Sequence, residues 1–160
     1  MAYTDADLAA ILRNPDISAD DDRAHAKPTQ VQSLMAQVGI RSEHDLQAAI
    51  MAEVNRLALG DDKWARLFAV PNGGQRSAAT AGRLKAEGVR AGVPDLLWPL
   101  RRHNYVGLAM ELKVGRNAPT TLQMGWLEWL GDNGWYACVI RDDPAQALHI
   151  LKWYCERVEP

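Results

Sequence analysis

Apolar and polar positions alternate with period two through Tyr105-Val-Gly-Leu-Ala-Met-Glu-Leu-Lys-Val114. That is the mark of a strand whose successive side chains face opposite ways. Leu108, Met110 and Leu112 fall on one face, which the pattern assigns to the core. Ala109, Glu111 and Lys113 fall on the other. A second short apolar run, Val93-Pro-Asp-Leu-Leu-Trp98, predicts a strand with Asp95 at its start. Arg101-Arg102-His103-Asn104 lies between the two runs and predicts a hairpin. Trp135–Arg141 reads as a further strand. So does Arg66–Val70, which is broken by Pro71-Asn72-Gly73-Gly74. Two adjacent glycines there suit a tight turn or a close approach of backbone to a ligand.

Between these runs the apolar residues recur at helical spacing. Ser42 is placed as an N-cap with Glu43 and Asp45 in the first turn, opening a helix to about Leu59 that Gly60 closes. Its stripe is Leu46, Ala49, Ile50, Val54 and Leu57. Further helices are predicted from about Ser77 to Glu87, with Gly88 as the stop, and from Thr120 or Thr121 to about Asp132, with Leu122, Trp126, Trp129 and Leu130 as the stripe. Asp142 is placed as the cap of a last helix, with Pro144 in its first turn and Ala147, Leu148, Leu151 and Tyr154 or Cys155 on its apolar side. Residues 1–28 are polar, acidic and turn-rich. Ala6–Leu12 reads as one helical segment there, and Pro28–Val38 as a short helix carrying Val31, Leu34, Met35 and Val38. From residue 41 on, the order is helix, strand, helix, strand, strand, helix, strand, helix. It predicts an α/β fold, a mixed sheet of about four strands flanked by helices. Residues 1–40 form a polar lead-in, and 41–160 one domain.

Composition narrows this picture. The 160 residues suffice for one domain with a real core. The longest apolar run is far too short to span a bilayer, and no basic-then-apolar signal segment opens the chain. No membrane association is expected, and a cytoplasmic location is. Cys138 and Cys155 make neither a disulfide framework nor a metal knuckle. The net charge of −2 conceals an asymmetry. Residues 63–116 carry ten basic and three acidic side chains, net +7, between an N-terminal part of net −6 and a C-terminal part of net −3. A basic block of this kind suits a polyanion. Charges that merely solvate loops and helix faces are the plainer explanation if nothing else is present in the block.

Something else is present. The predicted hairpin brings Asp95 beside Glu111, with Lys113 next to both. Two carboxylates and an ammonium at one strand end make a site for a hard cation with a cationic helper, an arrangement suited to phosphodiester hydrolysis. Mg²⁺ or Mn²⁺ would take Asp95, Glu111 and the Leu112 carbonyl as oxygen ligands. Lys113 would orient or help deprotonate an attacking water. Glu53 lies on a core-facing helical stripe, where a carboxylate is costly without a partner. It is a candidate third carboxylate, bound directly or through water, although a Glu at the stripe's edge can also reach solvent. Gln123, in the first turn of the helix after Lys113, can bring its amide back to the site. Arg76, Lys85, Arg90 and Arg116 are candidate phosphate contacts, and Asn72, Gly73 and Gly74 a candidate backbone approach to DNA. No helix has the look of a major-groove reader, so recognition by shape is expected. The histidines at 25, 44, 103 and 149 have no ligand spacing, and no nucleotide cofactor is expected. The six tryptophans read as core or interface.

The set Asp95…Glu111-x-Lys113 resembles the PD-(D/E)xK nuclease superfamily. The fuller series resembles the VRR-NUC family over roughly residues 45–141: Pro71-Asn72-Gly73-Gly74, Leu84-Lys85-x-Glu87-Gly88, Gly92-Val93-Pro94-Asp95-Leu96, Glu111-Leu112-Lys113, and Gln123 with Trp126-Leu127. The small form is similar to the stand-alone phage and prophage members. The resemblance implies a restriction-endonuclease-like core with the active site at the sheet edge. It also implies a divalent-metal-dependent nuclease, of the homodimeric kind acting on branched DNA such as four-way junctions. Onto this chain it maps Asp95 and Glu111 as metal ligands, Lys113 as the catalytic lysine, Glu53 as the helix-borne acid and Gln123 as the amide after the motif. A sequence-specific restriction-type nuclease would differ by cutting plain duplex at fixed sequences. A non-catalytic DNA-binding module would show no Mg²⁺-dependent nicking, and an oligomerisation role for the Trp-rich helix would show in the solution mass on changing Trp129.

Overall fold

The computed structural model describes residues 39–71 and 78–156. The segments Ala6–Leu12 and Pro28–Val38, and the residues Asn72, Gly73, Gly74 and Arg76, lie outside the described residues. Helix α1 runs Glu43–Ala58, capped by Ser42, whose side chain accepts the Asp45 N–H. Leu46, Ile50 and Val54 are its buried stripe. A 3-10 turn, Trp64–Arg66, takes up the start of the strand expected at Arg66. That strand, β1, is Phe68–Ala69 alone. Then follow α2 (Ala78–Ala86), β2 (Leu96–Trp98), β3 (Gly107–Lys113), α3 (Thr121–Asp132), β4 (Trp135–Arg141) and α4 (Pro144–Cys155).

The four strands form one mixed sheet in the order β1-β2-β3-β4. The first two pairings are antiparallel and β3–β4 is parallel, joined through α3. The β2–β3 hairpin turns at His103, whose φ of 52° is the left-handed region a non-glycine seldom enters. Its ring stacks on Trp153 at 4.6 Å, which holds the turn against α4.

Leu108, Met110 and Leu112 enter the main core with α1, α4, Tyr136, Cys138 and Ile140. The expected second face of β3 is buried too: all seven residues of the strand are buried. The reason is the parallel crossover. It lays α3 across that face, packing Met124 and Leu127 against Ala137 and Val139. Trp98 closes one end of the main core. It lies 4.9 Å from the Trp64 ring and donates its indole N–H to the Lys63 carbonyl.

Two helical assignments change. The buried side of α3 is Met124, Leu127 and Leu130, while Leu122 and Trp129 are exposed. The helix is apolar on two sides, and periodicity alone does not choose its rotation. The cap of α4 is Asp143, which accepts the Gln146 N–H. Asp142 instead has a φ of 55° and accepts the Gly115 N–H, pinning the loop that leaves β3.

Candidate active site

Register builds the site. Leu96 faces Met110 across the β2–β3 ladder, so the residue before β2, Asp95, comes opposite Glu111. Its Oδ2 accepts the Leu112 N–H at 2.9 Å. Two residues further along β3, on the same face as Glu111, stands Lys113. Its Nζ lies 2.7 Å from Glu111 Oε1, 2.8 Å from the Leu112 carbonyl and 3.2 Å from Glu43 Oε1. Gln123 completes the cluster. Thr120 and Gln123 form a reciprocal capping box at the start of α3, which turns the Gln123 amide nitrogen onto Glu111 Oε1.

The cluster is buried where the neighbouring central strands β2 and β3 meet, at the C-terminal end of β3. Glu111 and Lys113 are 0% and 3% exposed. Burial, and then the negative charge of Asp95, push the Glu111 carboxyl up to about 8, against the pull of Lys113. Burial also raises Asp95, opposed by its Leu112 N–H bond. For Lys113 burial works downward, but the hydrogen bonds and charges of Glu111 and Glu43 outweigh it and hold the ammonium above its usual value. These are signs of a pocket with an excess of negative charge.

Glu53 does not join the cluster. It is buried on α1, where Arg56 meets both of its oxygens at 2.7 and 2.8 Å and Lys152 of α4 reaches it at 3.5 Å. The Arg56 hydrogen bonds hold its carboxyl below the ordinary value despite burial. Its close pair with Arg56 lies within α1, and Lys152 alone links it to α4. The α1 carboxylate that touches the cluster is Glu43, at the other end of α1 and ten residues earlier in the chain. In the sequence, Glu43 reads only as a first-turn residue that complements the helix dipole. The signal that could have found it is its place at the first position of a helix whose stripe packs on β3.

Among the described residues, no three His, Cys, Asp or Glu side chains stand gathered as a metal set; the Lys113 ammonium touches both Glu43 and Glu111. The donor chemistry nonetheless fits a hard divalent ion. Mg²⁺ is commonly held by one or two carboxylates and otherwise by waters. Asp95, Glu111 and the Leu112 carbonyl offer that set, and Glu111 Oε2 is buried with no hydrogen-bond partner among the described residues.

Beside the cluster a cleft of about 540 Å³ opens between α2, the loop before β2 and the start of α3. Lys85, Arg90 and Gln123 line it. Gly92 lets the loop approach α3: at its φ of +82° a Cβ would meet the Leu122 Cβ at 2.7 Å. Trp126 donates its indole N–H to the Ala91 carbonyl across the same joint. Arg116 is exposed on the loop after β3.

No family model matches the chain, and no curated protein does. A solved structure named "VRR_NUC domain protein" is similar to it with a TM-score of 0.58 and 24% identity, over 71% of this chain and 88% of that one. The chain thus has the fold of a VRR-NUC domain, a mixed four-stranded sheet flanked by helices, in agreement with the resemblance its motifs carry.

Proposed function

We propose that the chain is a divalent-metal-dependent endonuclease that hydrolyses phosphodiester bonds in branched DNA such as four-way junctions. The observation that carries the reading is the buried Glu111, opposite Asp95 and in contact with Lys113, with one oxygen left unpartnered. Asp95, Glu111 and the Leu112 carbonyl would hold Mg²⁺ or Mn²⁺, which would supply Lewis-acid charge for the phosphoryl oxygens and make bound water more acidic. The chain does the rest. Glu43 and Glu111 keep Lys113 charged, so it acts as a hydrogen-bond donor to the attacking water and a positive charge for the transition state, not as a base. Gln123 holds Glu111 in place. Lys85, Arg90 and Arg116, with Arg76 and the Asn72-Gly73-Gly74 backbone, contact phosphates, which fix position without reading sequence.

A second copy of the chain is the proposed partner, seated on the exposed Trp129 of α3; light scattering of Trp129→Ala tests this, a halved mass being expected. A cytoplasmic location is proposed. No helix among the described residues is long and apolar enough to cross a membrane.

The decisive experiment incubates labelled four-way junction, flap and linear duplex with Mg²⁺ or Mn²⁺, using the wild-type chain and Glu111→Gln. Cleavage of branched substrates by wild type alone is expected. No cleavage of any substrate sinks the nuclease reading, and fixed cut sites in plain duplex sink the branched-substrate reading.

A further inference from the structure

The cleft beside the cluster has walls that phosphate contacts alone do not explain. Leu84 and Ala81 of α2, Val89 of the following loop and Leu122 of α3 make it largely apolar, while Lys85 and Arg90 bring two cations to it. Arg83, on the same helix, is paired with Glu87; Lys85 and Arg90 make no ion pair among the described residues. Gln123 belongs both to the cleft and to the cluster, since its amide rests on Glu111.

A pocket that is apolar within and cationic beside, and of small-molecule size, matches a planar heterocycle joined to a phosphate. A stacked, paired base cannot offer itself in that way; an unpaired one can. We propose that this cleft receives one unpaired nucleotide of the substrate, the base against Leu84, Val89 and Leu122 and its phosphate toward Lys85 and Arg90. The cleft then selects DNA that carries an unpaired nucleotide next to the phosphate to be cut. The inference rests on the nuclease reading and adds to it the feature by which a substrate is chosen.

The test compares two duplexes that differ only in one 2-aminopurine nucleotide, unpaired in one and paired with thymine in the other. Affinity and 2-aminopurine fluorescence are read with a chelator present, and again with Mg²⁺ on the Glu111→Gln chain, so the strand stays intact. The unpaired duplex is expected to bind about tenfold more tightly, with a fluorescence change on binding. Ala81→Phe, an exposed position that would fill the cleft, is expected to abolish that preference and leave the affinity for the paired duplex unchanged. Val89→Trp, on the loop wall, serves if Ala81→Phe does not fold. Equal affinities, a preference that survives the filled cleft, or no binding to either duplex overturns the proposal. If the preference is absent while Mg²⁺-dependent cleavage persists, only the cleft inference fails. If cleavage is absent as well, the nuclease reading fails with it.

Discussion

At the scale of single residues, two carboxylates on one helix have opposite duties. Glu43 touches Lys113, whereas Glu53 pairs with Arg56 on its own helix and reaches across to Lys152 of α4. Glu43→Gln is expected to slow cleavage about tenfold, as loss of a supporting contact does, with little change in thermal midpoint. Glu53→Gln should do the reverse, costing about 1–3 kcal/mol of stability and leaving the rate intact. A rate loss confined to the Glu53 variant would overturn the assignment. Lys113→Ala and Asp95→Ala should each reduce cleavage at least about a hundredfold while the far-UV spectrum stays native. Glu111 predicts a pH dependence. Its carboxyl is held at about 8 in the folded chain against an ordinary 4.5, so the folded form binds the proton more tightly than the unfolded one. Its stabilising contribution is complete below about 4.5 and is lost as pH rises through about 8. The metal-free thermal midpoint should therefore fall across that window, Glu111→Gln should flatten the fall, and Mg²⁺ should raise the midpoint more at pH 8 than at pH 5.5. A flat profile shared by both chains would contradict this.

At the scale of elements, the pairing of β2 with β3 was legible because alternation in Tyr105–Val114 and the short Val93–Trp98 run leave one hairpin register that aligns Asp95 with Glu111. Gln123 was legible from its place in the first turn after Lys113. The rotation of α3 was not, since both of its sides are apolar and only the contact with Glu111 and the packing of Met124 and Leu127 select one. Nor was the role of Glu53, because a stripe position shows that a carboxylate needs a partner and not which partner it finds. The loop–helix joint at Gly92 is testable. Gly92→Ala would drive a Cβ to 2.8 Å from the Leu122 carbonyl carbon. It is expected to cost about 1–3 kcal/mol and to slow cleavage, because the loop carries Asp95 and Leu122 adjoins Gln123. An unchanged denaturation midpoint together with an unchanged rate would show the joint to be slack.

At the scale of the whole molecule, the basic residues concentrate in 63–116 although the chain is acidic overall. Binding to DNA should therefore weaken steeply with salt, the logarithm of the affinity falling by about 0.9 per phosphate neutralised for each decade of salt. Lys85→Ala or Arg116→Ala should each lower that slope by about one. Titrations at several salt concentrations measure it, and a salt-independent affinity would rule out the phosphate contacts. The side chain of Gln123 joins the scales. Its oxygen closes the opening turn of α3 through the Thr120 N–H at 2.8 Å, while its nitrogen steadies Glu111. A glutamate there would start the helix as well but set a further anion against Glu111. A methionine would fill the space and serve neither purpose. Any edit made to stiffen this helix is thus also an edit to the chemistry, and stability engineering and catalytic tuning cannot be pursued independently at this position.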